Sequence, residues 1–271
     1  MNERPDWLTV ERRDKPLIVS IPHAGVELRD SEGRFLSPWL ARKDADWRLD
    51  ALYDFLAPLG ATLIKTRLSR SIVDVNRDPS GASLYPGQAT TELCPTSTFD
   101  GEPLYKSAPP DVAEIAERTR MYFDPYHAAL AAEIARLKER HRCVALFDAH
   151  SIRSRIPRLF DGELPVFNLG SNSGASCTPK LREALSAGLD ASGQTFVVDG
   201  RFKGGWIIRH YGKPADGVEA VQLELACRGY MLEPDLPSPE NWPQAIDDGR
   251  AAGARATLRG VLETILEHVC A

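Results

Sequence analysis

The sequence predicts an α/β fold in which short buried strands, mainly parallel, alternate with helices in a single domain. Apolar, β-branched runs at Leu17–Ile21, residues 144–150 and Val218–Ala226 are too short for buried helices and suit the central strands of a sheet. Helical patterns separate these runs, as they do in α/β proteins. A chain of 271 residues with 43% hydrophobic content can bury one large core.

The first predicted strand, Leu17–Ile21, is followed by Pro22, His23, Ala24 and Gly25. Proline ends the pairing of a strand and glycine permits a tight turn, so we expect His23 at a fixed point rather than on a mobile loop. In open α/β sheets, ligands bind just beyond the carboxyl ends of the strands. His23 is therefore a candidate functional residue.

Residues 44–56 are predicted to form an amphipathic helix that starts with acidic residues and is closed by Pro58 and Gly60. The next predicted strand covers residues 61–66. Acidic residues in a first helical turn usually complement the helix dipole. Asp46 also offers a carboxylate ligand close to the helix start, and both interpretations stay open.

Asn76 and Arg77 are adjacent in a polar segment over residues 69–81. A guanidinium binds a carboxylate through two hydrogen bonds and the amide adds another, so this pair is a candidate carboxylate clamp. An ion pair between Arg77 and a neighbouring aspartate is the alternative. Residues 84–110 are rich in Pro, Gly and Thr and have no clear period, which predicts a long surface loop and a candidate lid.

Residues 111–140 are predicted to be mostly helical, with a break at Asp124-Pro125. The central strand follows and ends in His150, with Asp148 on the same side of the pleat. Such a histidine is either a structural residue or a ligand. Because His23 has the same setting, the two histidines together favour a shared metal, with Asp148 as an orienting partner of His150.

The later elements complete the alternation of strands and helices. Strands are predicted at residues 167–170 and 195–198, separated by a helix at residues 179–191, and a helix over residues 243–269 ends the chain. No internal repeat and no GxGxxG or Walker motif accompanies them.

Glu224 lies within the apolar strand Val218–Ala226. A carboxylate in that position is costly unless it is paired or functional, so Glu224 is either a catalytic group or the partner of a buried arginine. Before this strand, Gly204 and Gly205 allow the close approach of a backbone or a ligand, and Arg209 follows them. We expect this glycine segment to form a wall of the site.

The composition favours small-molecule chemistry. The chain has a formal charge of −5 and a pI near 5.7, and its Lys and Arg residues are scattered. It therefore shows no clustered positive charge of the kind that binds nucleic acids. Five cysteines without a C-x-x-C pair argue against a disulfide framework or a thiolate zinc site and indicate a reducing cytosol. Without a signal peptide or a membrane-spanning run, the chain is expected to be cytoplasmic, with no membrane partner. The sequence carries no signal for a particular oligomeric state.

Several motifs in order resemble the N-formylglutamate amidohydrolases, the N-formylglutamate deformylases of histidine degradation. The resemblance runs nearly end to end and rests on six segments: residues 20–25, 44–47, 69–77, 148–151, 203–212 and 222–224. The family is distantly similar to zinc carboxypeptidases and aspartoacylases, whose phosphorylase/hydrolase-like fold is a mixed sheet flanked by helices. The resemblance therefore implies a mixed, mainly parallel sheet.

The resemblance also implies a metal site with Zn²⁺ or another divalent ion bound by His23, Asp46 and His150. In the distant relatives the acidic ligand follows the first histidine by three residues, where this chain has Val26. Valine cannot bind a metal, and Glu27 is one residue late. Asp46 matches the acidic motif of the formylglutamate family and is the predicted ligand.

The implied reaction is the hydrolysis of N-formyl-L-glutamate to formate and L-glutamate. Glu224 would act as the general base and Arg70 would stabilise the oxyanion. The two substrate carboxylates need two cationic clamps, which are assigned to Arg77 with Asn76 and to Arg209. Gly205 is the predicted point of close substrate approach.

Three alternatives stay open. A related zinc amidohydrolase would use the same catalytic residues on another N-acyl acidic amino acid or a small peptide. A non-catalytic binder of small dicarboxylates would bind its ligand without metal and release no formate. A thiol hydrolase has the least support, because no cysteine lies near a strand-end histidine in the sequence.

Overall fold

The computed structural model describes residues 5–271, and its strands form one seven-stranded mixed sheet in the order β1-β3-β2-β4-β7-β5-β6. The strand bounds are β1 Leu8–Glu11, β2 Leu17–Ile21, β3 Thr62–Thr66, β4 Val144–Ile152, β5 Phe167–Gly170, β6 Phe196–Val198 and β7 Val218–Ala226. Strands β3, β2, β4 and β7 are parallel to one another, and β5 is parallel to β6, whereas β1 pairs with β3, and β5 with β7, in the antiparallel sense. The predicted α/β fold with a mixed, mainly parallel sheet is confirmed.

Helices cover both faces of this sheet. Their bounds are α1 Leu49–Leu52, α2 Leu56–Leu59, α3 Val112–Arg118, α4 Asp124–Lys138, α5 Pro179–Ala191, α6 Trp206–Tyr211 and α7 Asp248–Cys270. A π-helical turn at Thr119–Phe123 joins α3 to α4. Residues 84–110 contain no helix and no strand, as predicted. No helix within residues 5–271 is long and apolar enough to span a membrane.

The three central strands are buried on both faces and contribute to two apolar cores. Val19, Phe147 and Leu223 belong to the core beneath α5 and α7, while Ile18 and Leu146 belong to the core beneath α4 and α6. Because side chains alternate along a strand, every second residue points toward the α4 and α6 side. On that side polar residues replace apolar ones near the carboxyl ends of the strands: Ser20, Asp148, His150, Gln222 and Glu224.

The predicted helix over residues 44–56 is wrong, because this segment forms only the single-turn helices α1 and α2. Arg48 adopts a left-handed backbone with φ of 61°, which a continuous α-helix does not allow. The Asp44 carboxylate accepts a hydrogen bond from the Phe99 backbone N–H at 2.6 Å. The acidic residues therefore serve tertiary contacts instead of a helix N-terminus.

Other local expectations also differ from the structure. The antiparallel strand β1 lies in a charged segment for which no strand was predicted. The expected break at Asp124-Pro125 is absent, because proline in the first turn of α4 removes no helical hydrogen bond, and the irregularity is the π-helical turn before it. The segment after Gly205 is the helix α6. Residues 69–81, for which no element was predicted, form turns.

Candidate active site

Three parallel strands deliver the polar residues of the candidate site at their carboxyl ends. β2 leads into His23, β4 carries Asp148 and His150, and β7 carries Gln222 and Glu224. In the pairing of β4 with β7, His150 lies opposite Glu224 and Asp148 opposite Gln222. A histidine and a carboxylate that lie far apart in the chain are thus neighbours, where α/β sheets bind ligands.

His23, Asp46 and His150 form a buried cluster whose potential ligand atoms all lie within 4.8 Å of one another. The backbone N–H of Asp46 donates to the His23 carbonyl at 3.0 Å. The Oδ2 atom of Asp46 accepts the Ser151 backbone N–H at 3.1 Å and lies 3.3 Å from His150 Nδ1. These contacts fix Asp46 against both histidine segments despite the irregular backbone around it.

A carboxylate orients each histidine of the cluster. Nε2 of His23 donates to Asp74 at 2.7 Å, and Nε2 of His150 donates to Asp148 at 2.7 Å. In both rings the Nδ1 atom faces Asp46. Its distance to Asp46 Oδ2 is 3.9 Å for His23 and 3.3 Å for His150. Carboxylates that hold the second ring nitrogen are the usual support of metal-binding histidines.

The two histidines have opposite pKa shifts. Burial lowers the pKa of His23, and nearby Arg70 adds to this effect. Burial also acts to lower the pKa of His150, but the charge of Asp148 and its hydrogen bond outweigh it and raise the pKa well above its usual range. The hydrogen bond from Nε2–H of His150 to Asp148 leaves Nδ1 facing Asp46.

The donor atoms of the cluster fit a divalent metal. His23 Nδ1 and Asp46 Oδ1 are buried and have no hydrogen-bond partner within residues 5–271. Such atoms carry a desolvation cost that a bound cation would offset. Two imidazole nitrogens and one carboxylate oxygen are a common ligand set of catalytic zinc sites.

Glu224 is buried beside this cluster, and its Oε2 atom has no hydrogen-bond partner among the described residues. No lysine or arginine nitrogen of residues 5–271 lies within 4.0 Å of its carboxylate, so the alternative of an ion pair with a buried arginine is not observed. Burial raises the pKa of Glu224 to about 7, with Asp46 and Asp148 adding to the rise and His150 opposing it. The carboxyl group is thus free to exchange a proton near neutral pH.

Arg70 and Asn76 lie at the wall of the same cavity. Nη2 of Arg70 donates to Asp74 at 2.7 Å, and its guanidinium lies 4.7 Å from the centre of the Phe99 ring. The Asn76 amide donates to Asp148 at 2.9 Å, and its oxygen accepts the Ile207 N–H at 2.8 Å. Asn76 therefore links the orienting carboxylate of His150 to the start of α6.

Arg77, the first residue of the loop over residues 77–93, also contributes to the cavity wall. Its Nε atom donates to the Thr91 carbonyl and its Nη2 atom to the Thr91 hydroxyl, both at 3.0 Å. Nη2 lies 3.6 Å from Asp74. The guanidinium is thus held in place by the chain and has N–H groups left for a ligand.

Gly205 meets Asn76 so closely that a side chain does not fit. A Cβ atom on Gly205 would lie 2.3 Å from both Nδ2 and Oδ1 of Asn76. The Gly205 N–H donates to Gln222 Oε1 at 2.7 Å. The absence of a side chain is therefore required by Asn76, and Gly205 is also part of the cavity wall.

Two predicted site residues do not line the cavity: Asp46, which is buried within the cluster, and Arg209. The Nε atom of Arg209 donates to the Gly204 carbonyl at 3.0 Å, and its guanidinium lies 5.1 Å from the centre of the Tyr85 ring. Its assignment to substrate binding stays a prediction from the sequence.

Sequence reasoning missed several residues of the site, among them Asp74 as the partner of His23, and Tyr85 and Arg201 in the cavity wall. Asp74 is 51 residues from His23, and only the fold brings them together. Arg201 lies shortly before Gly204 and Gly205 in the sequence, and this proximity to the predicted wall of the site was the one available signal for it. Tyr85 lies in a segment without periodicity and carried no signal.

The cavity beside the cluster is small, with a volume of about 50 Å³. Residues 77–93 separate it from an outer cleft of about 720 Å³. Tyr85 belongs to both walls, and its hydroxyl donates to the Gly204 carbonyl at 2.8 Å and accepts the Gly204 N–H at 3.0 Å. The loop is thus fastened over the site by a side chain.

Comparison with known proteins gives matches over nearly the whole chain. The family model described as N-formylglutamate amidohydrolase matches residues 15–231. An N-formylglutamate deformylase of Pseudomonas aeruginosa is 44% identical over 96% of both chains, and one of Pseudomonas putida is 42% identical over 93% of this chain and 92% of the relative. The crystal structure of an N-formylglutamate amidohydrolase from Ralstonia eutropha JMP134 superposes with a TM-score of 0.79 at 25% identity, covering 97% of this chain and 98% of that one.

Proposed function

The chain belongs to the N-formylglutamate amidohydrolase family and is an amidohydrolase, and from this premise we propose that it hydrolyses N-formyl-L-glutamate to formate and L-glutamate with the help of a divalent metal. The observation that carries the proposal is the buried cluster of His23, Asp46 and His150, whose two histidines line one cavity together with Glu224 and its unpartnered Oε2 atom.

His23, Asp46 and His150 would hold the metal, which we propose to be zinc because of its preference for imidazole and carboxylate ligands. When bound there, such an ion supplies Lewis-acid polarisation of a carbonyl group and a lower pKa for water. Asp74 and Asp148 keep the two imidazoles in the tautomer and orientation that this binding requires.

Glu224 is the proposed general base. Its free Oε2 takes a proton from the attacking water and then passes it to the departing amide nitrogen, so that formate and an amine leave. The Arg70 guanidinium, fixed by Asp74, stabilises the negative charge that develops on the formyl oxygen. Burial of both residues strengthens these electrostatic contributions.

The substrate has two carboxylates, and Arg77 is proposed to bind one of them. Asn76 places Arg77 next to the metal cluster. The side-chain amide of Asn76 contacts Asp148, and the backbone carbonyl of Asn76 accepts a hydrogen bond from Arg77 Nη1 at 3.2 Å. Gly205 completes this wall and keeps the substrate close to the backbone.

We also propose that the reaction serves histidine degradation in the cytoplasm. The five free cysteines fit a reducing compartment. Cells that lack the chain and grow on histidine should then accumulate N-formylglutamate.

The experiment that tests the proposed function combines metal analysis with a formate assay. Protein purified without chelator should contain about one divalent ion per chain and release formate from N-formyl-L-glutamate. The double variant His23→Ala and His150→Ala should lose both, whereas His141→Ala, outside both cores, serves as the control. Binding of N-formylglutamate without formate release would instead favour a non-catalytic binder. A higher activity on N-acetylglutamate or another N-acyl acidic amino acid would favour a related amidohydrolase.

A further inference from the structure

Arg201 is a half-buried arginine in the cavity wall that lacks a carboxylate partner. Its Nε atom donates to the Leu159 carbonyl and its Nη2 atom to the Ala89 carbonyl, both at 2.8 Å. Its guanidinium lies 5.3 Å from the Tyr85 ring centre and 5.2 Å from that of Phe202. No carboxylate oxygen of residues 5–271 lies within 4.0 Å of it.

The other arginines of the wall differ from Arg201 in this respect. Arg70 donates to Asp74 at 2.7 Å, and Arg77 lies 3.6 Å from the same carboxylate. A guanidinium has five N–H donors, and Arg201 uses two of its nitrogens on backbone carbonyls while Nη1 has no partner in the described residues. A desolvated cation that is fixed in position but not neutralised is suited to bind an anionic ligand.

The position of Arg201 bears on which of the two substrate carboxylates it can contact. Arg77 contacts Asn76, which bonds to Asp148, and lies 3.6 Å from Asp74, so it is linked to both carboxylates that orient the histidines. Arg201 makes no hydrogen bond with any of these residues and is held instead by Leu159 and Ala89. The α-carboxylate of the substrate is adjacent to the scissile bond, whereas the side-chain carboxylate lies farther away.

We propose that Arg201 binds the side-chain carboxylate of the substrate and thereby sets the preference for an acidic side chain. This inference rests on the proposed function and deepens it by naming the residue that selects glutamate derivatives. It gives Arg201 the role that sequence reasoning gave to Arg209, whose guanidinium is not part of the cavity wall.

The test compares kcat/KM for N-formylglutamate and N-formylglutamine in wild type and in Arg201→Gln. Loss of a charge-assisted bidentate contact should lower kcat/KM for N-formylglutamate by about 30- to 1,000-fold, mainly through KM. N-formylglutamine has no side-chain charge and should keep most of its kcat/KM. The preference for the acidic substrate should therefore collapse. An equal loss on both substrates, with the preference retained, would overturn the proposal and leave Arg201 as a support of the loop.

Two further variants sharpen the comparison. Arg155→Gln removes an exposed arginine that pairs with Glu163 at 2.8 Å, so it controls for the loss of one positive charge and should retain the preference. Arg209→Gln tests the competing assignment directly. If the preference collapses in Arg209→Gln and persists in Arg201→Gln, the proposal is wrong.

Arg201→Lys covers the case in which the glutamine variant does not fold. Lysine keeps the charge but loses the fork of the guanidinium, so the preference for N-formylglutamate should fall to an intermediate value. An unchanged preference in a folded lysine variant would again overturn the proposal. Failure of the proposed function looks different, because wild-type protein would then release no formate from either substrate.

Discussion

Glu224 is the residue whose chemistry is most directly open to experiment. Glu224→Gln keeps the shape of the side chain and removes its basicity. We expect kcat to fall by about 10²-fold or more, because proton transfer by a positioned base contributes roughly 10²–10⁴ in rate. Single-turnover formate release measures the loss, with metal content and melting temperature determined on the same sample.

The control for this prediction is the same substitution at Glu163, a carboxylate that pairs with Arg155 away from the cavity. Glu163→Gln should retain full activity. A Glu224→Gln protein that is metal-loaded, stable and fully active would rule out the base. A protein that loses stability while its folded fraction turns over normally would indicate a structural role instead.

The residues of the site differ in how well their roles could be predicted from the sequence. His23 and His150 were predictable because each follows an apolar run, and the carboxyl ends of parallel strands meet at one edge of the sheet. Asp148 was predictable as the partner of His150 because it lies two residues earlier on the same strand. Asp74 and Arg201 reach the site through turns, and no periodic pattern encodes where a turn places a side chain.

The start of α6 is the element that holds Asn76 in place, and Gly205 is its tightest contact. Gly205→Ala should push the Asn76 amide away from Asp148, because the added Cβ would lie 2.3 Å from it. Overpacking of this kind costs about 1–3 kcal/mol. We expect a loss of activity of at least about tenfold with a lower melting temperature, measured by kcat/KM and thermal unfolding.

Gly188→Ala is the matched control, because Gly188 lies within α5 and no atom beyond its chain neighbours and the helix backbone around it lies within 4 Å of an added Cβ. Replacing glycine by alanine inside a helix should stabilise the protein by roughly 0.5–1 kcal/mol and leave activity unchanged. Equal behaviour of the two alanine variants would contradict the role given to Gly205.

Among elements, the sequence predicted those with an internal pattern and missed those set by distant contacts. α5 was predicted with the bounds that the structure has, and its capping Thr178 accepts the Leu181 N–H at 3.4 Å. Residues 44–56 have an equally good apolar pattern but do not form one helix. Their backbone is bent at Arg48 by contacts to His23 and Phe99, which lie outside the segment.

For the whole molecule, we propose that the two cores unfold as one unit, because β2, β4 and β7 contribute side chains to both. His127 on α4 then reports global stability. Its Nε2 atom donates to the Val75 carbonyl at 2.8 Å, and burial lowers its pKa to about 4. The unfolded chain, with a histidine pKa of about 6.5, binds more protons than the folded chain between these two values.

The contribution of His127 to stability should therefore be fully present above pH about 6.5, and up to ~3 kcal/mol of it should be lost as the pH falls toward 4. Denaturant unfolding at several pH values measures this slope. His127→Gln, which has no proton to gain, should flatten it, whereas the control His141→Gln should not. An identical slope in wild type and His127→Gln would contradict the prediction.

The cavity volume of about 50 Å³ has a kinetic consequence. Pockets that bind small molecules usually have about 300–1,000 Å³, and N-formylglutamate, with roughly a dozen non-hydrogen atoms, needs a larger pocket than this cavity. We therefore expect part of the segment 77–93, which lines both the cavity and the outer cleft of about 720 Å³, to move when the substrate enters. Each turnover would then include one opening and one closing, and the opening frequency would be a ceiling on kcat. The two hydrogen bonds between Tyr85 and Gly204 are the contacts that such an opening would break.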